Sequence, residues 1–158
     1  MNNINLQKAL QKIDVSADWV GLREVKETST YRIIRDGNPE SNSINLDHGI
    51  MVEVLVDGQF GYYGTHKLDY DSILNAAKKA CDVAKNASRY SIHPYTDSVR
   101  PKAVGKYDSP YQIKNYDLGQ LTELLLKSNK SLKSSDKIVT ATSMARIVDM
   151  NMNYAVSY

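Results

Sequence analysis

The chain has 158 residues, 42% apolar and 24% charged, with 20 basic and 18 acidic side chains that leave a net charge of +2. This length suits one domain or a domain with a small appendage, and the composition is that of an ordinary globular protein. The charges are interspersed and the basic spots near 78–79 and 127–133 are short, so nucleic-acid binding lacks the clustered cationic surface it requires.

Cys81 is the single cysteine, which excludes an internal disulfide and fits a reducing compartment. The opening MNNINLQKALQKI lacks the cationic flank and continuous apolar core of a signal peptide. No apolar run approaches the ~18 residues that would mark a membrane span. A cytoplasmic protein with no membrane partner is the expectation.

Taken in chain order, residues 4–14 carry Leu6, Ala9, Leu10 and Ile13 at helical spacing. Two strands are expected near 17–26 and 29–36, where Trp19, Gly21, Arg23, Val25 and Ile33 lie in a β-prone stretch. The second ends at Asp36-Gly37, a turn dipeptide. The polar NPESNSINLDHG then reads as a loop or a short strand. Ile50 to Val56 is mostly apolar, Phe60 to Thr65 is aromatic and glycine-rich, and Asp57-Gly58 between them predicts a hairpin. Gly61 and Gly64 inside the second of these strands imply a bulge or a close backbone approach.

A helix is predicted from Asp69 or Asp71, either of which could cap it, to Ser88. Its inward stripe would be Ile73, Ala76, Ala77, Ala80, Ala84 and Ala87, small enough for the helix to sit close on a sheet. Residues 89–116 contain Pro94, Pro101 and Pro110 and no sustained period, so they read as a long connection ordered along a surface. A third helix is signalled by Asp117-Leu118-Gly119-Gln120 with Leu121, Leu124 and Leu125, ahead of a polar spacer, SNKSLKSSDK. Ile138 to Tyr158 is β-like. From Met144 the even positions include Val148, Met150, Met152, Tyr154 and Val156, and the odd ones Asp149, Asn151, Asn153 and Ser157, which predicts that the even positions are buried. The alternation stops in mid-strand at Tyr158, as a truncated chain would.

No residue combination carries a catalytic signature. His48, His66 and His93 include no closely spaced ligand pair, and each falls at a predicted turn or strand end, so all three read as solvent-facing. Cys81 belongs on or next to the buried face of its helix and reads as a small apolar residue, not a nucleophile. Gly58, Gly61 and Gly64 match no phosphate-loop pattern, and there is no G-x-S-x-G elbow. The site expectation is therefore no catalytic, cofactor-binding or metal-ligating residue in this segment. Eleven tyrosines against one phenylalanine is unusual, and Tyr62, Tyr63, Tyr90, Tyr95, Tyr107, Tyr111 and Tyr116 cluster in the middle of the chain. Rings that staple loops down and a surface that meets a peptide or another domain both account for them.

The block from Gly49 to Ala87 carries a resemblance. A short first helix precedes a strand with an acidic residue near its middle, Glu24 in WVGLREVKET. A turn at Arg35-Asp36-Gly37 follows, then a serine-containing stretch and a strand-opening Gly49. Next come Asp57-Gly58-Gln59-Phe60-Gly61-Tyr62-Tyr63-Gly64-Thr65, in the pattern D-G-x-x-G-[FY]-x-x-T, and a helix with Ala76, Ala77, Ala80 and Ala84. Over about residues 4–90 this resembles the amino-terminal domain of the TldD/PmbA family, known also as modulators of DNA gyrase. Many members have an arginine four residues after the strand-opening glycine, where this chain has Glu53, so no role tied to that arginine carries over.

The resemblance implies a parent roughly three times as long. In the TldD branch an H-E-x-x-x-H helix beyond this region binds zinc, the family acts as metallopeptidases on small or unfolded peptides, and a zinc-free PmbA-type partner pairs with it. The expected fold is α+β, an antiparallel or mixed sheet with helices packed on one face. The expected organisation is a core at 1–90, a Pro/Tyr-rich connection at 91–116, and a helix plus strand or strands at 117–158 leading into a further domain. The expected function is a non-catalytic amino-terminal domain of such a hydrolase, helping to form a peptide chamber and homo- or heterodimer contacts. The alternatives are a PmbA-like zinc-free partner subunit and a free-standing tyrosine-rich binding module.

Overall fold

The computed structural model describes residues 4–100, 105–110 and 116–157, without the side chain of Val99. Three helices, α1 (Leu6–Lys12), α2 (Tyr70–Ser88) and α3 (Leu118–Leu132), accompany strands β1 (Trp19–Arg35), β2 (Asn38–Val56), β3 (Gln59–Thr65) and β4 (Thr142–Val156). The strands form one antiparallel sheet in the order β3-β2-β1-β4, giving the expected α+β class. The chain divides into two compact units, one drawn from Met1–Lys26, Asp47–Val104 and Met150–Tyr158, the other from Glu27–Leu46 and Gly105–Asp149.

Both Asp-Gly dipeptides make the turns their chemistry favours. Asp57 and Gly58 have φ of 50° and 73°, Asp36 and Gly37 of 50° and 80°, the positive pair that a two-residue hairpin turn needs. The strands on either side of Asp36-Gly37 are longer than the sequence suggests. The expected pair at 17–26 and 29–36 is one strand, and the expected loop or short strand after Asn38 is the first half of β2. Polar composition misleads there because an antiparallel strand keeps its ladder while most of its side chains face water.

In the first unit, Val20 and Leu22 of β1, Ile50, Val52, Val54 and Val56 of β2 and Ala155 of β4 form a core with Leu6 and Ala9 of α1 and the inner face of α2. Burying each large aliphatic side chain contributes about 1.5–3 kcal/mol. Asp69 caps α2 by accepting from the backbone N–H of Ser72 at 2.8 Å, which decides between the two candidate caps. Ile73, Ala76, Ala77, Ala80 and Ala84 are buried as predicted and Cys81 joins them, whereas Ala87, in the last turn, is exposed. The helix sits so close to β3 that a methyl group at Gly61 would lie 2.8 Å from Ala84 N and 2.9 Å from Ala84 Cβ, and nearer still to Ala80 O. Gly61 is therefore a close approach, not a bulge. Gly64 has nothing closer than 3.9 Å.

In the second unit, Asn129 accounts for a helix longer than expected. Its side chain is buried, donating to Ile34 O at 3.1 Å and Ala141 O at 3.0 Å and accepting from Gly37 N at 2.8 Å. The spacer read as irregular thus continues α3 to Leu132, because one of its polar residues is an inward-facing clamp on the β1–β2 turn. Of the expected apolar stripe, Leu125 is buried but Leu124 is exposed.

β4 does not bury the predicted even positions: the two strand residues it does bury are odd, and from Val148 to Tyr154 both sets are exposed. Ala141, Ser143 and Ala155 are buried, while Met144, Val148, Met150, Met152 and Tyr154 are exposed. In the first unit the inward side already holds Val20, Leu22 and the aliphatics of β2, so Ala155 fits where a large residue would overpack. Hydrophobicity picks out the larger set of side chains, but available volume decides which set turns inward. Tyr158, the end of the predicted pattern, lies outside the described residues.

Gly61→Ala should lower stability by about 3 kcal/mol or more, because the added methyl must push α2 from the sheet. Gly64→Ala should fall within about 1 kcal/mol of the parent. Chemical denaturation of the two variants checks this, and similar losses for both would contradict the close approach.

Candidate functional site

The first unit brings together polar groups on one side of its sheet and aromatic groups on the other. The core positions Leu22, Ile50 and Ala155 alternate along their strands with period two, so Glu24, His48 and Asn153 lie one step further on the same side. They meet there. His48 Nε2 is 2.9 Å from Glu24 Oε1, and Asn153 Nδ2 donates to Glu24 Oε2 at 3.0 Å. Burial alone would push the Glu24 carboxyl up, but the hydrogen bonds from Asn153 and His48 together outweigh it and hold it below its ordinary value. His48 thus departs from the sequence expectation. It is inside β2, not at a turn, because a strand continues through Asp47-His48-Gly49. His66 and His93 are exposed, as expected.

This trio joins three strands and satisfies both carboxylate oxygens within the protein. Among the described residues no group of three or more His, Cys, Asp or Glu is placed to hold a metal ion. Cys81 is buried against the sheet, and burial pushes its thiol up, away from nucleophilic use.

The opposite side of the sheet carries the aromatic groups. β2 and β3 pair with Glu53 opposite Tyr62 and Leu55 opposite Phe60, which places Glu53, Phe60 and Tyr62 on the face away from α2. The Trp19 and Phe60 rings meet edge to face, 6.1 Å between centroids at 88°. Tyr62 and Tyr95 flank Phe60 at 6.4 and 5.6 Å. The Trp19 indole lies across Gly21, where a methyl group would come 2.5 Å from Cη2, so a residue with no side chain makes the bed for this ring.

Residues 94–100 cross this face. Pro94 packs on Gly58, Tyr95 N donates to Gly58 O at 2.7 Å, and a single 3₁₀ turn (Asp97–Val99) delivers Arg100. The Arg100 guanidinium lies 4.5 Å from the Phe60 ring centroid and 5.7 Å from that of Trp19, and it pairs with the Glu53 carboxylate. Nη2 also lies 3.4 Å from the Tyr62 hydroxyl. Glu53 is thus paired with a cation supplied by another part of the chain.

The central tyrosines divide between the two readings. Tyr95 staples its segment to the sheet, whereas Tyr90 and Tyr107 project into solvent and Tyr111 lies outside the described residues. Sequence reasoning missed Trp19, Glu53 and Arg100 as a group, since 81 residues separate the ends of that set and no local pattern links them. Glu24 was findable, being in phase with Val20 and Leu22 and so bound to face inward.

Residues 20–84 match the family model described as PmbA/TldA metallopeptidase domain 1. The fold agrees with two solved structures. One is TldE from Thermococcus kodakarensis, with a TM-score of 0.58 at 12% identity, covering 96% of this chain and 34% of that one. The other is a protein from Thermotoga maritima described as a candidate modulator of a DNA gyrase, with a TM-score of 0.50 at 11% identity, covering 88% and 31%. No curated protein matches the sequence. The matched segment is similar to the first domain of that metallopeptidase family, and the fold is the one those two structures share. The match extends over residues 20–84, and the chain spans about a third of the length of those two structures. No helix among the described residues is long and apolar enough to cross a membrane.

The Glu24 cluster has a testable pH signature. A carboxyl held below its ordinary value stabilises the fold above the unfolded pKa of about 4.3, and that contribution is lost as pH falls through the folded value. The stability gap between the parent and Glu24→Gln should be largest near neutrality and close below about pH 4. Denaturant titrations across pH measure it, and a gap constant down to about pH 3 would contradict the assignment.

Proposed function

We propose that this chain is the non-catalytic amino-terminal domain of a TldD/PmbA-type metallopeptidase acting on small or unfolded peptides in the cytoplasm. The observation that carries the reading is the match of residues 20–84 to the first-domain model of that family. The chemistry of the described residues is compatible with it. The one buried carboxylate–histidine pair is occupied by Asn153 and its own partners, and the one thiol is buried. In this reading the zinc and the glutamate base belong to the remainder of the longer protein, where a bound zinc would activate water for attack on a peptide carbonyl.

The domain's part is to help wall the peptide chamber and to contribute to pairing with a second TldD/PmbA-type subunit. The exposed apolar residues Met150, Met152 and Tyr154 on an edge strand support a contact role, since such an edge offers both apolar area and unpaired backbone groups.

Metal analysis of the chelator-washed chain, alongside a peptidase assay, tests this proposal. The expected outcome is no stoichiometric zinc and no peptide hydrolysis. One tightly held zinc per chain would overturn it and direct attention to His48, His66 and His93.

A further inference from the structure

The side of the first unit away from α2 has the parts of a cation-recognition site. Phe60 and Trp19 present ring faces, the Tyr62 hydroxyl lies at the margin, and Glu53 contributes a carboxylate whose side chain is 13% exposed with Arg100 seated on it. A carboxylate this sheltered beside aromatic rings requires a cation, because burying an unpaired charge is expensive. A planar guanidinium suits the geometry best. It can stack on a ring and hydrogen-bond to a carboxylate in its own plane, which a compact ammonium cannot do equally well.

The cation present is Arg100, and it is not part of the sheet. It arrives at the end of a segment that, among the described residues, makes one backbone hydrogen bond to the strands, from Tyr95 N to Gly58 O. Its side chain keeps 31% of its surface exposed, and its buried Nε has no hydrogen-bond partner among the described residues. The platform comes from three strand segments and is rigid by packing, whereas the occupant is tethered by a short strap.

We propose that Trp19, Phe60, Tyr62 and Glu53 form a binding site for the guanidinium of an arginine side chain on a peptide or partner protein, and that Arg100 is an internal occupant that such a ligand displaces. The strap then acts as a plug. Removing the Arg100 head group opens the site, and a ligand must compete with Arg100 when it is present. The inference is independent of the peptidase assignment, since it needs only this face of the sheet.

Trp19 is the only tryptophan in the chain, so its fluorescence reports on the site directly. The experiment titrates the parent, Arg100→Ala and Arg100→Gln with N-acetyl-arginine amide, using the lysine and citrulline analogues as controls and circular dichroism to verify the fold. The expected result is saturable quenching or shift of Trp19 emission in both variants at millimolar ligand. The parent should bind at least about tenfold more weakly, lysine should bind more weakly than arginine, and citrulline should have no effect. Adding Glu53→Gln to Arg100→Ala should abolish the response. Absence of saturable binding in folded variants, or equal binding of citrulline, would overturn the proposal. So would loss of fold in both single variants, because Arg100 would then be a structural brace and not a displaceable occupant.

Discussion

The first unit depends on how closely α2 approaches β3. A helix with alanine at 76, 77, 80 and 84 has almost no side-chain relief on that face, so its backbone can descend onto the sheet only where the strand also lacks a side chain, and Gly61 supplies that opening. Once α2 is seated there, Ile73 and the aliphatics of β2 close the core, and Leu6 and Ala9 of α1 complete it. The contact also fixes which face of the β2–β3 hairpin is buried. Val54 pairs with Gly61 on the helix side, so their neighbours Glu53, Leu55, Phe60 and Tyr62 turn to the other. One glycine thereby sets the location of both the core and the aromatic platform.

The two sides of this sheet treat their sheltered carboxylates differently. Glu24 is bound by His48 and Asn153, which belong to neighbouring strands and hold their places through the ladder itself. Glu53 is bound by Arg100, which reaches the sheet only through the 94–100 strap. The first arrangement ties strands together. The second puts a charged contact under the control of a segment whose hold on the sheet is slight, which is what a displaceable occupant requires.

Much of the fold was legible in the sequence, and the misses have physical causes. Asp57-Gly58, Asp36-Gly37, the alanine stripe as far as Ala84 and the Asp117 cap are local signals whose chemistry operates over a few residues, and the structure realises each. Asn129 and β4 were misread because their placement is decided at long range: one by three backbone groups that a buried amide can satisfy, the other by the volume left beside a filled core. The aromatic–arginine cluster was invisible for the same reason. Its members lie at 19, 53, 60, 62, 95 and 100, and only the register of β2 against β3 and the path of the strap unite them.

The central claim is that α2 and the β2–β3 hairpin are one cooperative unit while the strap bearing Arg100 is held separately on the opposite face. Native-state hydrogen exchange tests it most directly. The account predicts that amides of Val52, Val54, Ala80 and Ala84 exchange only through global unfolding, with one common free energy and one denaturant dependence. The Tyr95 amide should exchange through a smaller local opening. Exchange of the α2 amides at a lower free energy than those of β2 would contradict the account, as would Tyr95 protection equal to that of the core.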